Sequence, residues 1–399
     1  MFSLCLTVNI DYLSNKNTLA DTPKPRVLFY RTYFFKKSET FIYRQAINPF
    51  IHPFLLADRF IQSAEMPTNT FTKFKFSRPI TYWLFTKWFG KQLGYGAKSI
   101  AKMKRLLAGE SFDLLHAQFG DNGVLILPLA KQLNLPMVVS FHGFDASRKL
   151  ANRSYREGLK DVFDYASAII VCNTGMADVL PLSEAHKKKV RWVPYGIDIE
   201  QFTLDTSVAQ PNSFNILHVG RLIEKKGVPD LIRAFAKALK EVNQMTLHLV
   251  GTGKEEGECR ALVKEFNLAS NVIFHGWKSP KEVKELMQQC EVFVLNSRVA
   301  RNGETEGLPV GLLEAMAMSR AVISTRHAGI PLAVENEVSG ILVDERDTDS
   351  LSQQLIRLYH NKELRQAMGK AARAKVENQF TMKKMHENLL HIYSEIAKK

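Results

Sequence analysis

Glu306-Gly307-Leu308-Pro309-Val310-Gly311-Leu312-Leu313-Glu314, followed by Ala315-Met316-Ala317, sets two carboxylates eight residues apart across a loop-to-helix junction. Gly307 permits backbone angles or close approaches that other residues resist. Pro309 is a residue type favoured at the first position of a helix. From there Val310 to Met318 predicts a largely buried helix. Its start offers unpaired backbone N–H groups and the positive end of a dipole, a natural seat for a diphosphate. One carboxylate comes just before that seat, and the other lies about one and a half turns into the helix. A ligand with an anionic middle and hydroxyls on both sides suits this layout, and a nucleotide-sugar is such a ligand.

Working outward, short apolar runs alternate with longer helical patterns, the signature of βαβ units and parallel sheets. Strands are expected in the first half at Arg26–Tyr30, Phe54–Ala57, Asp113–Ala117, Met137–Phe141, Ala168–Cys172 and Val190–Val193. In the second half they are expected at Asn215–Val219, Thr246–Val250, Asn271–Phe274, Val292–Leu295, Ala321–Ser324 and Gly340–Val343. The fold class is therefore α/β, with two Rossmann-like domains. Residues 1–25 form a loose N-terminal extension, 26–203 the first domain, 204–213 a polar linker and 214–380 the second domain. Residues 381–399 form a terminal helix.

The chain has 399 residues, enough for two full cores, and 45% hydrophobic residues against 24% charged. That balance is ordinary for a globular protein, and no apolar run approaches the roughly 18 residues that span a bilayer. Residues 1–10 are apolar but lack a basic start and a clear cleavage site, so no signal peptide is expected. Cys5, Cys172, Cys259 and Cys290 lie far apart and form no C-x-x-C pair, which fits free thiols in a reducing cytoplasm. Net charge is +14, and residues 1–200 hold 27 Lys/Arg against 16 Asp/Glu. An anionic partner is expected for that half. Residues 71–105 carry nine Lys/Arg, nine aromatics and no Asp/Glu. That mixture suits an interfacial element on anionic lipid, or core aromatics on a helix with a solvated basic face. No nucleic-acid-binding signature is present.

Arg221 and Lys226 follow a strand that ends at Gly220, where open parallel sheets bind ligands. By themselves they also fit a solvated basic loop, with Lys225 beside them. Gly251-Thr252-Gly253 follows another strand and could approach a nucleotide. His142-Gly143-Phe144-Asp145 follows the strand Met137–Phe141. Ser38-Glu39-Thr40 follows the first strand and a basic loop, and Ser38 also suits a helix N-cap.

These stretches resemble a known family. Glu306 to Glu314, with His218-Val219-Gly220-Arg221-Leu222-Ile223-Glu224-Lys225-Lys226-Gly227 upstream and Gly329-Ile330-Pro331 and Ser339-Gly340 downstream, resembles the E-x7-E region of retaining GT-B glycosyltransferases of family 4. The resemblance runs from Arg26 to the C-terminus. It is closest to bacterial exopolysaccharide enzymes of the colanic-acid type, which share Ser38-Glu39-Thr40-Phe41-Ile42 and His142-Gly143-Phe144-Asp145. It implies a GT-B fold, two Rossmann-like domains with parallel sheets facing across a cleft, and a final helix that crosses back to the first domain. It assigns Arg221 and Lys226 to the donor diphosphate, with Gly220, Gly307, Leu308 and Pro309 beside them. Glu314 would accept hydrogen bonds from ribose hydroxyls. Glu306 and His142 would face the transferred sugar, and Asp145 would orient His142 or the acceptor. Ser38 and Glu39 belong to an acceptor-side loop. Relatives often carry a second His where Gln118 stands.

The implied enzyme is a retaining glycosyltransferase at the inner face of the cytoplasmic membrane. The donor would be a UDP- or GDP-sugar, the residues leaving the base open. The acceptor would be a saccharide, with undecaprenyl diphosphate as its lipid carrier, and an anionic membrane surface would be a further partner. No nucleic acid, cofactor or metal is expected, since Arg221, Lys226 and the helix start would neutralise the leaving group. Two alternatives are a GT-B phosphorylase, for which no pyridoxal-lysine motif stands out, and a non-catalytic nucleotide-sugar or membrane-binding module.

Overall fold

Strand runs such as Val27-Leu28-Phe29-Tyr30 and Val292-Phe293-Val294-Leu295 are apolar at every position and buried on both faces. That is the pattern of parallel strands covered by helices on both sides. The structure, a computed structural model, describes residues 23–36, 39–61, 66, 71–76, 94–207 and 213–397. Ser38 and residues 77–93 lie outside the described residues. The chain forms two units. One takes residues up to Pro194 and again from Lys383 onward, and the other runs from Tyr195 to Met382. The division at Pro194 falls upstream of the 204–213 stretch.

In the amino-terminal unit the strands are β1 (Arg26–Tyr30), β2 (Tyr33–Phe34), β3 (His52–Ala57), β4 (Arg59–Phe60), β5 (Thr72–Lys75), β6 (Leu114–Gln118), β7 (Met137–Phe141), β8 (Ala168–Val171) and β9 (Val190–Trp192). Seven of them form one sheet in the order β5-β3-β1-β6-β7-β8-β9, every pair parallel. Strand order reverses between β1 and β6, so the crevice beyond their carboxyl ends is the expected ligand position. The last helix, Met382–Ala397, buries Leu389, Leu390, Ile392 and Tyr393 in this unit's core, with Val27, Phe29 and Leu55. His386 Nε2 bonds the Arg44 carbonyl at 2.7 Å, and Asn48 donates back to the His386 carbonyl at 3.1 Å.

Part of the basic aromatic segment departs from both expectations for it. Residues 72–75 form β5 at the sheet edge, paired with β3, rather than a helix or an interfacial element. Phe71 and Phe76 flank it and are buried, while Lys73 and Lys75 are exposed. The interleaved Phe and Lys residues follow the two-residue alternation of a strand.

In the carboxyl-terminal unit the strands are β10 (Phe214–Val219), β11 (Met245–Val250), β12 (Val272–Gly276), β13 (Val292–Leu295), β14 (Ala321–Thr325) and β15 (Ile341–Val343). They form one parallel sheet in the order β12-β11-β10-β13-β14-β15. This is the doubly wound Rossmann order, with its switch point between β10 and β13. The helix Val228–Ala238 packs Leu231, Ile232 and Phe235 onto Ile216, Leu247 and Val294 of the sheet.

Candidate active site

The switch point of the carboxyl-terminal unit is where the sequence places its charged residues. After β10 the backbone bends through Gly220 and Arg221 into a 3₁₀ turn, Glu224–Lys226, which ends at Gly227 with φ +64°. A Cβ at Gly227 would clash with the Asn296 carbonyl, so only glycine fits that close approach. Asn296 Nδ2 donates to the Gly227 carbonyl at 2.6 Å, and Arg298 Nε donates to the Glu224 carbonyl at 3.0 Å. Arg298 also pairs with Asp230 at 2.5 Å. The loop after β13 thus locks the turn that carries the lysines. Gly251, at φ +129°, would collide with the Gly220 carbonyl if it bore a Cβ. Its role in this fold is to admit the 220–222 backbone.

Glu306 sits in the loop before the helix Val310–Ala317 and is 8% exposed. Pro309 is the N-cap of that helix rather than its first residue. Gly311, in the first turn, stands beside the end of β10: a Cβ there would lie 3.9 Å from the Val219 carbonyl. Lys226 Nζ is 2.9 Å from Glu306 Oε1, an ion pair rather than a well-aligned hydrogen bond. Lys225 Nζ is 3.9 Å from Glu306 Oε2 and 3.1 Å from Glu304. The Glu306 N–H donates to His327 Nε2 at 3.0 Å. His327 Nδ1 meets the Glu345 carboxylate at 2.7 Å, so its N–H lies on that side and the Nε2 lone pair faces Glu306. Glu345 also accepts the Val299 N–H at 2.9 Å. The loops after β13, β14 and β15 converge on one carboxylate.

Burial alone would raise the pKa of Glu306, but Lys226 and then Lys225 outweigh it and hold the carboxyl at about 2. Burial lowers the pKa of Lys226, Lys225 and Arg221 lower it further, and Glu306 opposes them. His218 is buried against the same pair. Its Nδ1–H donates to the Val294 carbonyl at 3.1 Å, which leaves Nε2 without a partner, 3.2 Å from where a Gly220 Cβ would stand. Burial, then Lys226, lowers its pKa to about 3, so it is neutral. Glu314 is half-buried on the Val310–Ala317 helix, and Gly307, Leu308 and Pro309 are buried before it. Arg221 is exposed at the carboxyl end of β10.

The amino-terminal unit gathers its predicted residues around the end of β7. The His142 ring packs against Phe41 at 4.7 Å and Phe119 at 4.6 Å, which joins the two segments shared with the exopolysaccharide enzymes. His142 Nε2 bonds Gln118 Oε1 at 2.9 Å, and Gln118 Nε2 donates to Gln45 at 2.8 Å. Behind them His116 is fixed by Tyr393 and Ser140, each at 2.7 Å. Burial holds the pKa of His142 well below the usual histidine value, with Arg31 and His116 adding to the effect.

Asp145 bonds the backbone of His142, one of the two placements expected for it. It is fully buried, and its two oxygens accept the His142 and Gly120 N–H groups, each at 2.9 Å. Burial raises its pKa to about 6 despite those bonds. Its place is to hold the backbone on which His142 sits. Glu39 pairs with Arg31 at 2.9 Å and with Lys36 at 3.5 Å. Arg31 itself follows β1, and its guanidinium lies 3.9 Å over the Phe119 ring. Arg31, Lys225, His327 and Glu345 were not singled out from the sequence. Arg31 had one available signal, its position directly after a strand.

Among the described residues no group of three or more His, Cys, Asp or Glu could hold a metal ion. No described helix is long and apolar enough to cross a membrane.

Comparison with known proteins agrees with the fold. Residues 203–375 match the family model "Glycosyl transferases group 1", and residues 70–201 match "Glycosyltransferase Family 4". The chain is 30% identical to the amylovoran biosynthesis glycosyltransferase AmsK of Erwinia amylovora, over 76% of each chain. It is 25% identical to the UDP-Gal:alpha-D-GlcNAc-diphosphoundecaprenol alpha-1,3-galactosyltransferase of Escherichia coli, over 75% of this chain and 80% of that one. The crystal structure of Anabaena Alr3699/HepE in complex with UDP and glucose shares the fold, with a TM-score of 0.76 and 18% identity over 93% of this chain and 99% of that one. With two doubly wound units, a carboxylate and cation cluster at the switch point of the second, and these relatives, the chain is a glycosyltransferase that belongs to the group 1 and family 4 glycosyltransferases of GT-B fold.

Proposed function

We propose that this enzyme moves a sugar from a UDP-sugar to a lipid-linked saccharide, with retention at the anomeric carbon, during exopolysaccharide assembly. The observation that carries the reading is the Lys226–Glu306 pair beside the start of the Val310–Ala317 helix. Arg221, Lys226 and that helix start take the diphosphate, Glu314 the ribose, and Glu306 the transferred sugar. UDP is favoured by the UDP complex of the Anabaena neighbour. A diphosphoundecaprenol-linked acceptor is favoured by the Escherichia coli relative. Exopolysaccharide assembly is favoured by the amylovoran enzyme.

Retention without a covalent sugar intermediate fits the chain's carboxylates. Asp145, the acid nearest His142 in sequence, is occupied by two backbone donors. Departure and attack on one face of the sugar then need only charge stabilisation of the leaving group. Peripheral attachment to anionic lipid fits the exposed Lys98, Lys102, Lys104 and Arg105 of the Ala97–Leu106 helix.

A thermal-shift screen over UDP-, GDP- and other nucleotide-sugars tests the donor, since a ligand of the folded state raises Tm. UDP and one or more UDP-sugars should raise it. GDP-sugars raising it instead would overturn the choice of base, and no response to any nucleotide would overturn the function. The anomeric configuration of the product, read by NMR, tests retention. Sedimentation with anionic vesicles, weakened by salt and by Lys98→Gln with Lys102→Gln, tests the membrane partner.

A further inference from the structure

Lys225 has no part in the diphosphate assignment, yet it is the more elaborately held of the two lysines. It is 8% exposed. A buried ammonium is costly unless it is paired and hydrogen-bonded. Its partners all lie on one tripeptide: Glu304 Oε1 at 3.1 Å, the Thr305 carbonyl at 3.3 Å and Glu306 Oε2 at 3.9 Å. Its own carbonyl accepts the Arg298 N–H at 2.9 Å. Lys225 is therefore fixed at both ends, whereas among the described residues Lys226 pairs with Glu306 alone.

This matters once the function proposed above is taken as the starting point. A donor diphosphate draws Lys226 away from Glu306. The carboxylate then loses its nearest cation in the state where it must face the sugar, and it stays buried. We propose that Lys225 is a positioning residue: it keeps Glu306 in place and ionised while Lys226 serves the diphosphate. It acts through Glu306 and touches no substrate. The other groups around Glu306 cannot take that part. His327 receives its backbone N–H rather than its carboxylate and is itself tied to Glu345. Glu304 is itself a carboxyl group and a partner of Lys225, and His218 is held neutral. Lys225 comes directly after Lys226 among the charges that lower the Glu306 pKa, ahead of the smaller effect of His327.

The test uses the full chain with Lys225→Gln, which keeps N–H donors for Glu304 and Thr305 but no charge. Lys225→Met and Lys225→Arg serve as harsher and milder companions. UDP, UDP-glucose and UDP-galactose are the probes. Calorimetry gives their affinities at pH 5.5 and pH 8, and UDP release from the tighter-binding sugar gives a pH profile. For Lys225→Gln, affinity for UDP should stay within about twofold of the parent at both pH values. The preference for the UDP-sugar over UDP should survive at pH 8 and fall at pH 5.5. The acid limb of the profile should rise by about 1–3 pH units, the usual effect of removing an opposite charge at this range. Lys225→Arg should restore it.

An unmoved limb, or a loss of UDP affinity equal to that of the UDP-sugar, overturns the proposal. So does failure of both Lys225→Gln and Lys225→Met to fold, which would make Lys225 a loop-folding residue. Glu306→Gln run alongside separates the two ideas. If it keeps full turnover, the function assigned to Glu306 falls. If it loses turnover while Lys225→Gln matches the parent, only the role of Lys225 falls.

Discussion

At the scale of single residues, the opposing charges of Glu306 and Lys226 neutralise each other before a donor arrives. Glu306→Gln breaks that pairing without changing shape. Nucleoside diphosphate should then bind as well as before or tighter, because Lys226 is released, while sugar transfer falls by about 10²–10³, the scale of a lost charge-stabilising contact. UDP calorimetry with initial rates checks both halves, and weakened UDP binding with normal turnover per bound donor would count against the assignment. Arg221→Ala and Lys226→Ala should each weaken UDP about 10- to 100-fold, since charge-assisted bonds are worth about 1.5–3 kcal/mol. Uridine, which lacks the phosphates, should be nearly unaffected; equal losses for both would indicate a folding defect. Arg221, Lys226, Glu306 and Glu314 were legible as candidates because motif spacing carries them. Lys225, His327 and Glu345 were not, because their contacts depend on the loop after β10 meeting those after β13, β14 and β15. Asp145 was left between two placements, orienting His142 or the acceptor, because only the fold shows its two oxygens taken by the His142 and Gly120 N–H groups.

At the scale of elements, strands β1 and β13 stand where apolar runs predict them, and so does β7, whose run is broken only by Ser140. β5 did not announce itself, because an edge strand with one face exposed reads as scattered Lys and Phe. The helix Met382–Ala397 shows what pattern alone leaves out. Its apolar positions give a buried face, but not that Tyr393 reaches His116 under the sheet. Tyr393→Phe keeps the ring and removes only that bond. It should cost about 1–3 kcal/mol, because a buried imidazole nitrogen is left without its partner. Urea unfolding followed by circular dichroism measures this, and an unchanged midpoint would mean that His116 is satisfied by Ser140 alone. Turnover should follow stability rather than fall separately, since the hydroxyl lies behind Gln118 and not at His142 itself.

At the scale of the whole molecule, buried neutral histidines couple stability to pH in both units. His116 and His142 in the amino-terminal unit and His218 in the carboxyl-terminal unit all have depressed pKa values, with burial as the first cause; those of His116 and His218 are near 3. In the unfolded chain each returns to about 6.5. Below that pH the unfolded state takes up protons that the folded state refuses. The stability these groups contribute is full above about 6.5 and is lost as pH falls below it, down to about 3 for His116 and His218, at roughly 1.4 kcal/mol per pH unit for each. Asp145 works the other way: its folded pKa, raised to about 6, favours proton uptake by the folded state between there and its unfolded value near 3.8, which offsets one histidine in that window. Glu306, lowered to about 2, adds acid sensitivity only below its unfolded value of about 4.5. Stability should therefore drop between pH 7 and pH 5, before ordinary carboxylates titrate. His116→Gln, which cannot take up a proton in either state, should be less stable than the parent at pH 7.5. Its stability should also fall less steeply on acidification, by about one proton's worth of slope. Calorimetric unfolding from pH 5 to pH 8 measures both, and a variant whose slope matches the parent's would show that His116 is not the group that refuses the proton.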